Sequence, residues 1–251
     1  MFNIKDVLDP TYEQPGHNAV RVDVPLSSRH TFTALYAPKS TWLESGKLLQ
    51  FKGPLGHFDY ALTFIETEWI FHDYTRFESA AMSFAALAEQ RRLLGASFAG
   101  ELLGLGVWGE YAYNWMETNP DFYELVVGGD YTFDFQTYVM VEFYRNTLGK
   151  SDPESYDLND WMRFFASEQK SLTRDQLFIL TQHPAGDLLT VGMQGIVSLV
   201  DGSLALVPTA QYSLSDNVDF FAYLNFNVGG ESTAYASDLG SGGLLRLRVH
   251  F

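Results

Sequence analysis

The sequence of 251 residues contains no cysteine. That excludes disulfide frameworks, thiolate zinc sites, iron–sulfur clusters and cysteine nucleophiles together. Basic residues are scarce: 16 Lys and Arg stand against 31 Asp and Glu, a formal net charge of −15. A nucleic-acid binder needs basic patches to displace counterions, so no nucleic-acid partner is expected. No run approaches 18 apolar residues, which excludes a transmembrane helix. The best run, Leu102 to Trp108, is broken by Gly104 and Gly106. Met1 to Pro10 carries neither a basic n-region nor an apolar h-region, so no signal peptide is expected there. Charged residues make up 19% of the chain, below the roughly 25% of an ordinary soluble domain.

Aromatic residues and strict alternation are what the chain has in abundance. Phe, Tyr and Trp reach 16%. At the C-terminus Leu245, Leu247, Val249 and Phe251 alternate with Arg246, Arg248 and His250. A period of two places the first set on one face of a strand and the second on the other. Val218, Phe220, Ala222, Leu224 and Phe226 repeat the pattern, as do Leu189, Val191 and Met193, and Val20, Val22 and Val24. About 13 such segments follow one another, near 18–26, 31–37, 47–52, 58–66, 93–102, 105–116, 121–133, 135–147, 174–183, 187–199, 203–213, 217–228 and 242–251. Many are about ten residues long, the length of a tilted membrane-spanning strand.

The links between segments fall into two kinds. Tight turns at Gly53 to Gly56, Leu103-Gly104, Asp134, Pro184 to Gly186 and Ser215-Asp216 alternate with longer links near 38–46, 67–92, 117–120, 148–173 and 229–241. The short Val200-Asp201-Gly202 is the exception. Two links read as helical: alanine-rich 76–92, and 157–170, where Asp157 is a plausible N-cap before Leu158, Trp161, Met162 and Phe165. In hydrocarbon every backbone polar group must be paired, so a sheet crosses only if it closes, apolar outside and polar inside. Long strands, asymmetric links and aromatics at strand ends point to that arrangement. A soluble barrel or sandwich would place the apolar set in a core instead.

The fold expected is therefore all-β: an antiparallel up-and-down transmembrane β-barrel of about 13 strands in one domain, with short helices in the long links. Residues 1–16 contain Pro10, Pro15 and Gly16 and no alternation. An odd count leaves the first and last strands parallel, so an incomplete barrel lacking upstream strands is expected, with an open seam or an unusual closure.

The ending Leu-Leu-Arg-Leu-Arg-Val-His-Phe resembles the C-terminal strand of Gram-negative outer-membrane barrels, with Leu245, Leu247, Val249 and Phe251 as the assembly signal. Residues 105–116, and Asp6 to Pro10 continuing through Pro15 to Arg21, are similar to stretches of porin-like or alginate-export-like barrels. The resemblance implies an outer-membrane location. Outer-membrane lipid, lipopolysaccharide and the barrel-assembly machinery are the partners it implies. It also implies passive diffusion of small polar or charged solutes, with no cofactor.

Strand parity places Arg21, Asp23, Asp59, Glu101, Glu110, Glu124, Asp130, Glu142, Asp219, Arg246 and Arg248 on the polar face. Acids and bases facing a lumen would set solute preference; side chains that only fill the interior are the plainer reading. About 13 strands enclose more space than side chains fill, so a lumen is expected, open or plugged by a long link. His72 and Asp73, with Glu66 and Glu68, form a conceivable cation site, but a solvated acidic loop is the simpler reading and no metal is expected. An outer-membrane lipase or protease needs a nucleophile beside a base. Ser83 and Ser97 lack a Gly-x-Ser-x-Gly setting, and His30, His57 and His183 fall in or beside turns. No catalytic residue is assigned. A soluble β-protein that binds a hydrophobic ligand is the remaining alternative.

Overall fold

A computed structural model describes residues 18–79 and 81–250. Residues 1–17, which include the Asp6 to Pro10 stretch, and Phe251 of the C-terminal signal lie outside them.

Thirteen strands form one antiparallel sheet in strict chain order: β1 (Val20–Pro25), β2 (Thr31–Ala37), β3 (Gly46–Leu55), β4 (Phe58–Glu78), β5 (Ser83–Leu102), β6 (Leu105–Met116), β7 (Phe122–Thr132), β8 (Tyr138–Asn146), β9 (Asp175–Pro184), β10 (Leu189–Ser198), β11 (Leu204–Ser215), β12 (Val218–Val228) and β13 (Ser241–Val249). Among the described residues β1 and β13 are not paired with each other, so the sheet is not closed. Both end strands run in the same direction, as thirteen alternating strands require.

Every second link lies on the same edge of the sheet. On one edge the links are short: 26–30, 56–57, 103–104, 133–137, 185–188 and 216–217. The other edge carries 38–45, 117–121, 147–174, 199–203 and 229–240, together with the tip of the β4–β5 hairpin. The segregation expected from turn chemistry holds, including the short 199–203 link on the long side. Gly56 and Gly104, both with positive φ, sit in two of the three two-residue turns.

One expectation is overturned. The alanine-rich 76–92 is not a helix and 67–92 is not a loop. Strands β4 and β5 run 21 and 20 residues and stay paired to Phe77↔Phe84 and Glu78↔Ser83, with one irregularity between Asp73 and Phe77. The physical reason is the partner segment: Thr67, Trp69, Ile70, Phe71, Tyr74, Thr75 and Phe77 are strong strand formers. Once they extend β4, 83–92 is the chain that can satisfy its backbone. The other helical expectation holds. Helix α1 spans Leu158–Phe165, and Asp157 and Asp160 form a reciprocal capping box at its start.

The cross-strand registers sort the side chains into two faces with no break from β1 to β13. One carries Val20, Leu49, Leu62, Leu94, Tyr111, Val127, Val141, Ile179, Met193, Leu224, Leu245, Leu247 and Val249, every one exposed. The other carries Thr33, Glu89, Asn114, Glu124, Asn146, Gln176 and Ser198, every one buried. Water-soluble sheets do the reverse. The polar face is concave. The rings of Trp69 on β4 and Phe122 on β7 meet at 5.1 Å, though two strands separate them. In a flat sheet those backbones stand roughly 14 Å apart, three strand spacings.

On the convex face, aromatic side chains gather near both edges. Tyr36, Trp42, Tyr113, Trp115 and Tyr123 lie toward the long-link edge, and Phe58, Phe98, Tyr131 and Phe133 toward the short one. Between them an unbroken outward row such as Val218, Phe220, Ala222, Leu224, Phe226 and Val228 fills β12. At about 3.3 Å per residue the ten steps from Val218 to Val228 are about 33 Å long. Where that band ends on the long-link side, Lys47 and Arg92 pair with Glu66 at 2.6 and 3.1 Å.

Candidate functional site

All eleven residues assigned to the polar face from parity lie on the concave face. They do not form one cluster; their neighbours lie on the same strand, one or two strands away, or, for Glu124, also on a link. Arg21 pairs with Asp23 at 2.9 Å, and the Thr33 hydroxyl donates to Asp23. Asp59 faces Pro54 and Ala99; Glu101 faces Gly106; Glu110 lies between Ser97 and Val126. The Tyr138 hydroxyl donates to Asp130 at 2.8 Å. The Trp108 indole N–H reaches over β7 to Glu142 on β8, also at 2.8 Å. Gly128 makes that crossing possible, since a Cβ there would sit 2.5 Å from the indole ring. Asp219 accepts from Ser213 at 2.8 Å, lies 3.2 Å from the His250 ring and is opposite Arg248. Arg248 stacks on Phe221, and Arg246 is that residue's direct cross-strand partner.

Glu124 is the most enclosed of the eleven, 4% exposed, and it marks the centre of the site. Its carboxylate accepts from the Tyr144 hydroxyl at 2.9 Å and from the Lys170 ammonium at 2.7 Å. Lys170 belongs to the long 147–174 link, so this link folds inward over the concave face. Three further ties hold it there. Arg163 of α1 donates to the His72 carbonyl and stacks on Phe71. Glu168 accepts from the His72 backbone N–H at 2.8 Å and the Tyr74 hydroxyl at 2.7 Å, and meets the His72 ring. Asn159 of α1 accepts from the Tyr74 backbone N–H at 2.7 Å and donates to Asp73 at 3.1 Å. Burial opposes the charge on Glu168, but the Tyr74 and His72 donors outweigh it and hold the carboxyl below the ordinary glutamate range.

A second knot ties the links to one another. Asp201, in link 199–203, accepts from the Tyr156 hydroxyl at 2.9 Å, the Ala234 backbone N–H at 2.8 Å, and both the N–H and hydroxyl of Ser203. It thereby joins 147–174, 199–203 and 229–240. Burial raises its carboxyl, and these donors outweigh that and lower it. The Tyr235 hydroxyl accepts from Gln176 on the concave face at 2.8 Å.

Beneath the inward link lies a cavity of about 230 Å³ lined by Trp69, Arg91, Phe122, Glu124, Asn146 and Lys170, among others. Five of these six lie on the concave face of β4, β5, β7 and β8. Sequence reading found Glu124 alone among them. Trp69 and Arg91 were missed because 67–92 was taken for a link; the strand-forming residues of 67–77 were the available signal. Lys170 has no local signal, because its role exists only through the fold of the link. The conceivable cation site does not assemble: Glu66 pairs with Lys47, Glu68 with Lys39, and His72 with Glu168. Asp73 bonds Thr75 and Asn159. Among the described residues no cluster of three or more metal-ligating acids and histidines occurs.

No protein-family model matches the chain, and no curated protein matches it.

Proposed function

We propose that this chain is a porin-like protein of the Gram-negative outer membrane, related to the alginate-export-like group, through which small polar or charged solutes diffuse. One observation carries the reading: the apolar face is convex and exposed, and the concave face is polar and holds the buried Asn114, Glu124, Asn146 and Gln176. Burying Asn114, Glu124 and Gln176 while exposing Leu245 and Leu247 is costly in water. The same distribution is favourable with hydrocarbon outside and a wet interior. Two aromatic belts flank an apolar band that, at the roughly 40° tilt of strands in a membrane barrel, would stand about 25 Å tall and fit the same environment. Outer-membrane lipid and lipopolysaccharide are the partners of the convex face. The barrel-assembly machinery reads the β13 row, and solutes meet the concave one. No catalytic role is assigned. The reading requires that the edges of β1 and β13 be paired in the membrane. Because the two run the same way, either a parallel seam or an added antiparallel strand meets that need.

The test is planar-bilayer recording of the full chain refolded from detergent. Discrete conductance steps are expected. Their absence from protein that has inserted and resists protease would remove the channel assignment.

A further inference from the structure

The β4–β5 hairpin outruns its neighbours on the long-link edge. β3 leaves β4 at the Lys47↔Glu66 pair, and β6 leaves β5 at Arg91↔Met116. Above those points the hairpin has two outer edges of its own, and they differ. On the β4 side the inward link takes up the backbone. The His72 N–H donates to Glu168 at 2.8 Å, the Tyr74 N–H donates to Asn159 at 2.7 Å, and the His72 carbonyl accepts from Arg163 at 3.0 Å. On the β5 side the last backbone tie is at Gln90. Its N–H donates to the Glu117 carboxylate at 3.3 Å, and its carbonyl accepts from the Glu117 N–H at 3.2 Å. The chain then turns inward, where the Thr118 and Asn119 N–H groups donate to Glu89 on the concave face. Pairing with β4 is regular from Gln90 to Ala85, so Ala88 and Ala86 turn their backbone N–H and C=O the same way as Gln90, away from β4. Among the described residues neither has a partner on that side. Ala86, Leu87 and Ala88 are exposed, and the stretch from Ser83 to Ala88 contains no charged residue and no proline. Edge strands are generally blunted by one or the other.

We propose that the open edge of β5 is a docking site for an extended cationic peptide segment, which adds an antiparallel strand in the lane that β6 vacates. Ala86 and Ala88 offer two donors and two acceptors to such a strand, and backbone bonds of this kind supply the affinity of strand addition. Side-chain surroundings supply the preference. On the convex side a cavity of about 480 Å³ adjoins the edge, lined by Leu43, Glu44, Glu68, Ala88, Trp115 and Glu117, among others. Its carboxylates set the sign of the partner. Glu68 has Lys39, and nearby Glu66 has both Lys47 and Arg92. Glu44 and Glu117 also line the cavity, and among the described residues neither has a cation within ion-pair distance. A lysine or arginine opposite Ala88 would share its convex side and so enter this acidic setting. A lipid phosphate would meet the same carboxylates and be repelled. Two copies upright in one membrane would bring those carboxylates together, so charge disfavours a second copy as well. The edge lies beyond the apolar band and outside the concave face, so the inference goes beyond the solute-channel reading and does not depend on conductance.

The experiment is fluorescence-anisotropy titration of the full chain in uncharged detergent micelles with three labelled peptides. The first is Thr-Lys-Val-Lys-Val-Lys-Thr. The second has glutamate in place of each lysine. The third keeps the lysines but is N-methylated at their backbone nitrogens, the donors that would face Ala86 and Ala88. The lysine peptide is expected to bind saturably. The other two are expected to bind more weakly by about tenfold or more, for the methylated one the scale of two lost backbone bonds. Ala88→Pro removes the outward N–H at a position where an edge strand tolerates proline. It is expected to weaken lysine-peptide binding by about tenfold while the sheet signal in circular dichroism stays. Glu44→Gln combined with Glu117→Gln is expected to narrow the gap between the lysine and glutamate peptides severalfold. Absence of saturable lysine-peptide binding overturns the proposal, and so does equal binding of either other peptide by the native chain. Self-association that Ala88→Pro abolishes would give the edge to a second copy instead, and lipopolysaccharide binding lost in that variant would give it to lipid. Conductance without peptide binding removes this site alone, whereas peptide binding without conductance removes the channel alone.

Discussion

Strands β7 and β1 follow the same rule of alternation and end in opposite circumstances. In β7 the concave residues Phe122, Glu124 and Val126 are all buried, with at most 4% exposure. In β1 every residue is exposed, on both faces. The difference lies in the surroundings rather than in the strands. β7 has a neighbour on each side, meets β4 across the concave face through Phe122 and Trp69, and is covered by the inward 147–174 link. Among the described residues β1 is paired on one edge only, and no link folds over it. Alternation chooses the face a side chain takes; curvature and cover decide whether that face is wet.

That contrast can be broken or sharpened. The largest effect is expected at the convex row, where Leu247→Arg should cost about 2–4 kcal/mol if the residue sits mid-band in lipid. Urea titration in lipid vesicles measures this, and a cost near zero would mean that the row faces water. Next, Lys170→Met removes the cationic partner of a buried Glu124 and should cost about 1–3 kcal/mol. The same variant should release link 147–174 to protease while leaving β1 and β2 as they were; unchanged cleavage would mean that the other ties suffice.

A smaller effect comes from acid. The Asp201 and Glu168 carboxyls are both held below their ordinary values. Their stabilisation is therefore complete at neutral pH and is lost as pH falls through the depressed values. Limited proteolysis at successively lower pH should show links 147–174 and 229–240 opening together while the sheet persists. Separate opening would show that Asp201 does not couple them. The smallest effect is expected at β1: both partners of the Arg21–Asp23 pair are about half exposed, so Arg21→Gln should leave the urea midpoint unchanged, and a clear shift would mean that the pair is sheltered.

Much of the fold was legible because its determinants are local. Each strand carries its own period of two, each turn its own glycine or polar residue, and Asp157 its own cap. Segment 67–92 was misread for a physical reason. Alanine, glutamate, glutamine and arginine favour helix in isolation, but the aromatic and β-branched run 67–77 gives 83–92 an extended partner. The candidate site was legible only in part for a related reason. Parity identifies the face of Glu124 and Glu142. It does not show that Trp108 crosses Gly128 to reach Glu142, or that Lys170 arrives from a link 46 residues along the chain to cover Glu124.

The sequence by itself determined the two faces, the order of the strands, the separation of short from long links and the start of α1. These depend on backbone geometry and nearest neighbours, which act within a few residues. Tertiary structure alone decided the length of the β4–β5 hairpin, the curl that brings Trp69 to Phe122, and the inward fold of the 147–174 link. It also left Arg91 with a buried, unpaired donor. Each of those depends on groups far apart in the chain meeting in three dimensions, where long-range hydrogen bonds and burial override local preference.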